Sequence, residues 1–263
     1  MLMVWILVSY WYMKYVEVVI YPPRNLGEKN MGAGLTAYFK SEFSNWGKGE
    51  TIWLFSASAV ILGLSLYWGD SMLGIIAALT GVWCVVLTGM GKSVCFVFGI
   101  VNVLCYAYIS YGAKYYGEVM LNTLYYFPMN FVGLYIWNKH TNKETGEVDK
   151  RHLNNKKRLI IALGSIVAIG IYGVILKYMG GNLPYIDSLT TILSITAQIL
   201  TLYRVAEQWI LWMVVNAATI FMWGVNFAQG NENIAVLLMW MVYLLNAVFM
   251  YYRWSKEAKN NEI

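Results

Sequence analysis

Charge is scarce in this sequence, and its scarcity narrows the class of protein quickly. Of 263 residues only 13% are charged, against 59% hydrophobic. A soluble domain needs a polar surface that this composition does not supply. Long apolar runs at this charge density indicate a polytopic membrane protein. Histidine is rare, and His140 and His152 share one charged loop. The three cysteines, Cys84, Cys95 and Cys105, fall inside apolar runs. They read as small buried hydrophobes rather than a disulfide framework or a metal site. No His/Cys/carboxylate cluster calls for a metal, a cofactor or a catalytic triad, so the chain is not read as an enzyme. Acidic residues are missing from the centres of the apolar runs. Glu118 and Asp187 fall near the outer ends of theirs, and Glu207 near the inner end of its own. No carboxylate pair is then available as a proton or sodium relay, which argues against an ion-coupled pump. The formal charge of +5 does not indicate nucleic-acid binding, because the basic residues lie between apolar runs.

What is present is apolar length. Eight stretches are long enough to cross a bilayer: 51–67, 71–90, 93–111, 117–137, 158–178, 183–203, 208–227 and 233–254. Most gaps are short and carry Gly, Asp or Asn; one, 138–157, is long and strongly charged. Residues 1–20 are apolar but carry Lys14 and Glu17. They read as an amphipathic helix in the membrane interface, with a ninth span as the alternative. No basic residues precede that run and no small-residue cleavage site follows, which disfavours a cleaved signal. Residues 21–50 read as a surface segment.

Basic-residue placement tests the count of spans. With eight spans and both ends of that core on one side, sixteen lysines and arginines share that side. Lys114 and Lys177 lie opposite and Lys14 is unassigned, which completes the 19. Such a bias predicts that both ends of the core are cytoplasmic.

Two asparagines sit mid-span. Asn102 lies in SVCFVFGIVNVLCYAYISY and Asn216 in QWILWMVVNAATIFMWGVNF. An amide at that depth is costly unless it meets a partner or a wet cavity. An offset of 114 superposes the two, and an offset of 116 places Asn130 on Asn246 and Tyr135 on Tyr251. The unit is three spans, 71–137 and 183–254, with one linker span between. The repeats are therefore parallel, with a pseudo-symmetry axis along the membrane normal. The fold expected is all-α and polytopic, arranged one plus three plus one plus three. A substrate site between the units is one reading of the asparagines; the other is that they hold helices together.

Polar stripes point the same way. Trp209, Trp212, Asn216, Thr219 and Trp223 share one helical face; so do Phe98, Asn102 and Tyr106, and likewise Thr191, Ser194, Gln198 and Thr201. Lipid would not tolerate Gln198, so it should face inward. Trp209 and Trp223, near their span ends, suit packing or interface anchoring; Trp212, one turn from Asn216, suits a pocket wall. Amides with aromatic faces fit a flat, polar, ring-containing solute, including a cationic one, although a sugar would also suit.

Two stretches, 91–140 and 187–223, resemble the PnuC family of bacterial nicotinamide riboside transporters, whose fold is related to the SWEET sugar transporters. The second carries LSITAQ and RVAEQWILW together with the repeat asparagine. The resemblance covers most of the chain after residue 50. It implies a homotrimer and a nicotinamide riboside site between the three-helix units. It points to Asn102, Gln198, Trp212 and Asn216 as ligand contacts, with Tyr106, Tyr126 and Asn130 as further candidates. Trp53 is a candidate for closing one end, Arg204 and Glu207 for an ion pair or gate, and Pro128 for a hinge. It also implies facilitated diffusion by alternating access, with net uptake driven by a cytoplasmic kinase that traps the product. Rival readings are a carrier for thiamine or a flavin, a membrane enzyme, and a non-transporting receptor.

Overall fold

The computed structural model describes residues 42–43, 46–113, 115–142, 145–178, 180, 184–230 and 234–258. Among the described residues, apolar length becomes helix. The elements are α1 (Lys48–Trp68), α2 (Met72–Met90), α3 (Cys95–Gly112), α4 (Tyr116–Met120), α5 (Phe127–Lys139), α6 (Asn155–Tyr178), α7 (Pro184–Leu202), α8 (Gln208–Ala228) and α9 (Ile234–Glu257). All of these except α4 and α5 are long and apolar enough to cross a membrane, seven helices among the described residues. At 1.5 Å per residue, 18 to 24 residues reach roughly 27–36 Å, the thickness of a hydrocarbon core. The expected span 117–137 is helical along its length but divided: a π-helical segment, Leu121–Tyr126, joins α4 to α5. Among the described residues there is no strand, only two isolated bridges.

Local chemistry sets the turns. Gly69 (φ 71°) and Gly91 (φ 73°) close α1 and α2 in the left-handed region, where a Cβ is penalised. Ser71 accepts a hydrogen bond from the Gly74 N–H and caps α2. The expected helix at 1–20, and the surface segment up to residue 41, lie outside the described residues. Part of that segment is not surface. Glu42 is 3% exposed and accepts hydrogen bonds from the Val94 N–H (2.9 Å) and the Ser93 hydroxyl (3.1 Å) at the start of α3. A carboxylate at a helix N-terminus meets free N–H groups and the positive end of the dipole. Residues 48–50, also assigned to that segment, are the first turn of α1.

The helices meet in a reciprocal way. α2 packs on α3, α1 and α9; α7 packs on α6, α8 and α5. The Trp137 indole on α5 donates to the Thr201 carbonyl on α7 (3.1 Å), and the Trp254 indole on α9 donates to the Gly89 carbonyl on α2 (2.8 Å). Small residues set the close crossings. A Cβ at Gly99 would lie 2.2 Å from Asn130 Oδ1, and one at Gly133 would lie 2.2 Å from Phe96, so α3 and α5 touch through two glycines. α6 stands outermost. Leu159, Ile160, Leu163, Ile166, Val167 and Ile171 on it are exposed, while Gly173 lets Tyr185 of α7 approach.

Candidate functional site

A cavity of about 130 Å³ opens between α2, α3, α4–α5, α7, α8 and α9. One water needs about a tenth of that volume, so the space is ligand-sized. It runs from Thr201 and Trp209, near the charged 138–157 loop, to Glu118 at the opposite end.

Most of the residues singled out above converge here. Asn102, Tyr106, Tyr126, Asn130, Gln198, Trp212 and Asn216 all line the cavity. Their hydrogen bonding separates them. The Asn102 amide donates to the Ala77 carbonyl (2.8 Å), so it ties α3 to α2 as well as facing the space. The Asn130 amide donates to the Tyr126 carbonyl one turn back (2.8 Å). The Tyr106 hydroxyl accepts from the Trp223 indole (2.8 Å) and its ring packs on Trp223 and Trp240. Asn216 differs: it is 2% exposed, yet its Oδ1 has no partner among the described residues. A buried carbonyl oxygen left unsatisfied costs about 1–3 kcal/mol, and a ligand donor removes that cost. Trp212 stands one turn away. Its indole reaches the Thr201 hydroxyl (3.3 Å) and its ring faces Tyr126 at 6.3 Å. Trp209 does more than pack: its ring meets Trp254, and it also lines the cavity. Trp223 is fully buried against Tyr106, as packing requires.

Trp53 stands apart from the cavity. Its indole donates to Asn246 Oδ1 (3.2 Å) and its ring packs edge-on against Phe249, holding α1 to α9.

Arg204 and Glu207, the expected ion pair or gate, do not pair with each other. Arg204 pairs with Asp149 (3.1 Å), and Glu207 with Arg158 (2.6 Å) and His152 (3.0 Å). The reason is the charged loop, which folds back over both turns at this end. Val148 N–H donates to Gly91 O, Arg151 N–H to Arg204 O, and Ala206 N–H to Arg151 O. Burial pushes the Arg204 pKa down and Asp149 opposes that. Burial likewise lowers the Lys92 pKa against the Glu42 and Glu147 carboxylates, and raises that of Glu42 against its hydrogen bonds from Val94 and Ser93.

One correction concerns charge. Glu118, read as lying near the outer end of its span and not counted among the site residues, is part of the cavity wall, and Asp187 interacts with it electrostatically. Asn122, one turn on, donates to the Glu118 carbonyl (2.8 Å) and carboxylate (3.5 Å). The signal was in the sequence: Glu118, Asn122, Tyr126 and Asn130 recur every four residues. In an α-helix such a stripe drifts by about 40° per step. The wider π turn at Leu121–Tyr126 reverses that drift and keeps all four on the cavity. Thr88 and Tyr243, also in the wall, carry no comparable pattern.

Residues 71–256 match the family model described as nicotinamide mononucleotide transporter. The chain belongs to that family. It is 39% identical over 231 residues to the nicotinamide riboside transporter PnuC of Neisseria mucosa, covering 86% of this chain and 88% of that one. To the nicotinamide riboside transporter PnuC of Haemophilus influenzae it is 33% identical, covering 86% and 98%. A crystal structure of the vitamin B3 transporter PnuC superposes with a TM-score of 0.78 at 38% identity, covering 86% of this chain and 98% of that one. The membership accounts for the all-helical, multi-pass architecture and makes the chain a membrane transporter. The cavity lies within the matched segment.

Proposed function

We propose that this protein carries nicotinamide riboside across the cytoplasmic membrane, binding it in the cavity between α3, α7 and α8. The observation that carries the reading is the cavity wall. It combines amides (Asn102, Gln198, Asn216) with aromatic faces (Tyr126, Trp212), and among the described residues no Lys, Arg or His lines it. Amides suit ribose hydroxyls and a carboxamide, and aromatic faces suit a pyridinium ring. The missing base favours the riboside over the mononucleotide, because a phosphate would enter without a counter-charge. The names of the relatives from Neisseria and Haemophilus agree with that choice.

The mechanism proposed is facilitated diffusion by alternating access, with 71–137 and 183–254 moving as two parallel units of an eight-span core. Support comes from the reciprocal indole bonds, α5 to α7 and α9 to α2, which are the contacts a two-fold relation requires. Pro128 is the second residue after the π segment, so the widened turn and the missing N–H make one deformable point. The charged loop, with Arg204–Asp149 and Glu207–Arg158 as its ion pairs, lies on the cytoplasmic side in this reading, as do both ends of the core. A homotrimer, and product trapping by a cytoplasmic riboside kinase, are part of this proposal and rest on the family resemblance alone. The apolar face of α6 is available to lipid or to a neighbouring subunit.

The test is calorimetric titration of the purified protein with nicotinamide riboside, and with thiamine, riboflavin and nicotinamide as controls. Selective binding of the riboside is the expected result. Binding of another vitamin instead overturns the substrate, and silence for all four in a folded sample overturns the carrier reading.

A further inference from the structure

We infer that Glu118 is the specificity-determining charge of the cavity, selecting a cationic pyridinium ring over its uncharged dihydro form and over a phosphate-bearing derivative. The inference rests on the riboside reading above and adds a residue and a rule of selection to it.

Glu118 is the acidic side chain among the described cavity-lining residues, and no basic one accompanies it there. Asp187, of the same sign, interacts with it electrostatically. Asn122 donates to both its carbonyl and its carboxylate, which fixes the side chain one turn before the π segment. Among the described residues, no positive charge lines this corner of the cavity. A second, independent observation points to a ligand in the same space: Asn216 is 2% exposed, lines the cavity, and has an oxygen without a partner among the described residues. Tyr126, Trp212 and Tyr106 supply faces for a flat ring. A pyridinium gives the carboxylate its missing counter-charge and leaves Asn216 free to accept from a ribose hydroxyl or carboxamide. A ring without charge gives only the second, and a phosphate meets like charge.

The experiment titrates the full-length protein with three molecules: nicotinamide riboside, its uncharged dihydro form, and the mononucleotide. In wild type the cationic riboside should bind at least about tenfold more tightly than the dihydro form, the scale of one charge pair in a partly screened site. Glu118→Gln should lose that advantage, with riboside affinity falling about tenfold and dihydro affinity moving less than about threefold. Glu118→Asp, which withdraws the carboxylate by one methylene, should lower the cation's affinity alone, and it serves if the first variant does not fold. Equal weakening of both ligands, or an unchanged ratio, overturns the inference. Wild-type protein that binds both forms equally overturns it too, while leaving the carrier reading intact. Wild-type protein that binds none of the three overturns the carrier reading itself.

Discussion

Asn102 and Asn216 occupy matching places in the sequence and do different work in the structure. Asn102 has a permanent partner in the Ala77 carbonyl, and Asn216 has an oxygen that nothing in the described protein satisfies. Asn216→Ala should therefore weaken riboside binding by at least about tenfold, the effect of one buried hydrogen bond, with a melting temperature close to wild type. Asn102→Ala should lower stability as well, by about 1 kcal/mol, because it deletes an interhelical bond. Calorimetry and thermal unfolding on the same samples separate the two. Arg204 illustrates a second residue-scale conflict. It sits at φ 61°, at the turn between α7 and α8 where the turn between α2 and α3 has Gly91 at φ 73°. The left-handed backbone costs a non-glycine residue about 1–2 kcal/mol. Its burial and its pair with Asp149 hold it there. Arg204→Gly relieves the backbone while Arg204→Ala does not. The alanine variant should be the less stable of the two by about 1 kcal/mol in a thermal melt.

At the scale of elements, the least regular helix lends five residues to the cavity wall, as many as α3 and as α8. Residues 116–139 pass from α-helix through a π segment back to α-helix, with Pro128 at the start of the second α portion. Proline cannot donate to the preceding turn, and the wider π turn accommodates it. Pro128→Ala restores the donor. The expected outcome is slower riboside uptake into vesicles with nearly unchanged equilibrium affinity. An unchanged rate would remove the hinge assignment. The α3–α5 crossing is the second element-scale feature. Gly99→Ala would drive a methyl into Asn130, and the resulting separation should cost about 1–3 kcal/mol.

For the whole molecule, the two indole bonds are the sharpest test of a two-fold arrangement. Trp137 on α5 bonds to α7 and Trp254 on α9 bonds to α2, the pairing that the two proposed units would make. Trp137→Phe and Trp254→Phe should each cost about 1 kcal/mol. The rings lie 6.2 Å apart, so the double variant measures their coupling rather than a simple sum. A large loss at one site with none at the other would argue against equivalent roles.

Apolar run lengths, the basic bias of one set of loops, and the repeat of Asn102 at Asn216 follow from the sequence alone, because each depends on residues near one another in the chain. Helical periodicity also determines which side chains share a face, and so brought Gln198, Trp212 and Asn216 forward together. The tertiary structure decided what each face meets. Trp53 found Asn246 instead of the cavity, Arg204 and Glu207 each found a different partner on or beside the charged loop, and Glu118 joined the cavity wall. Those outcomes depend on where distant segments pack and on how a π turn rotates one stripe. Burial, which sets the cost of an unpaired charge or amide, exists only once the helices have met.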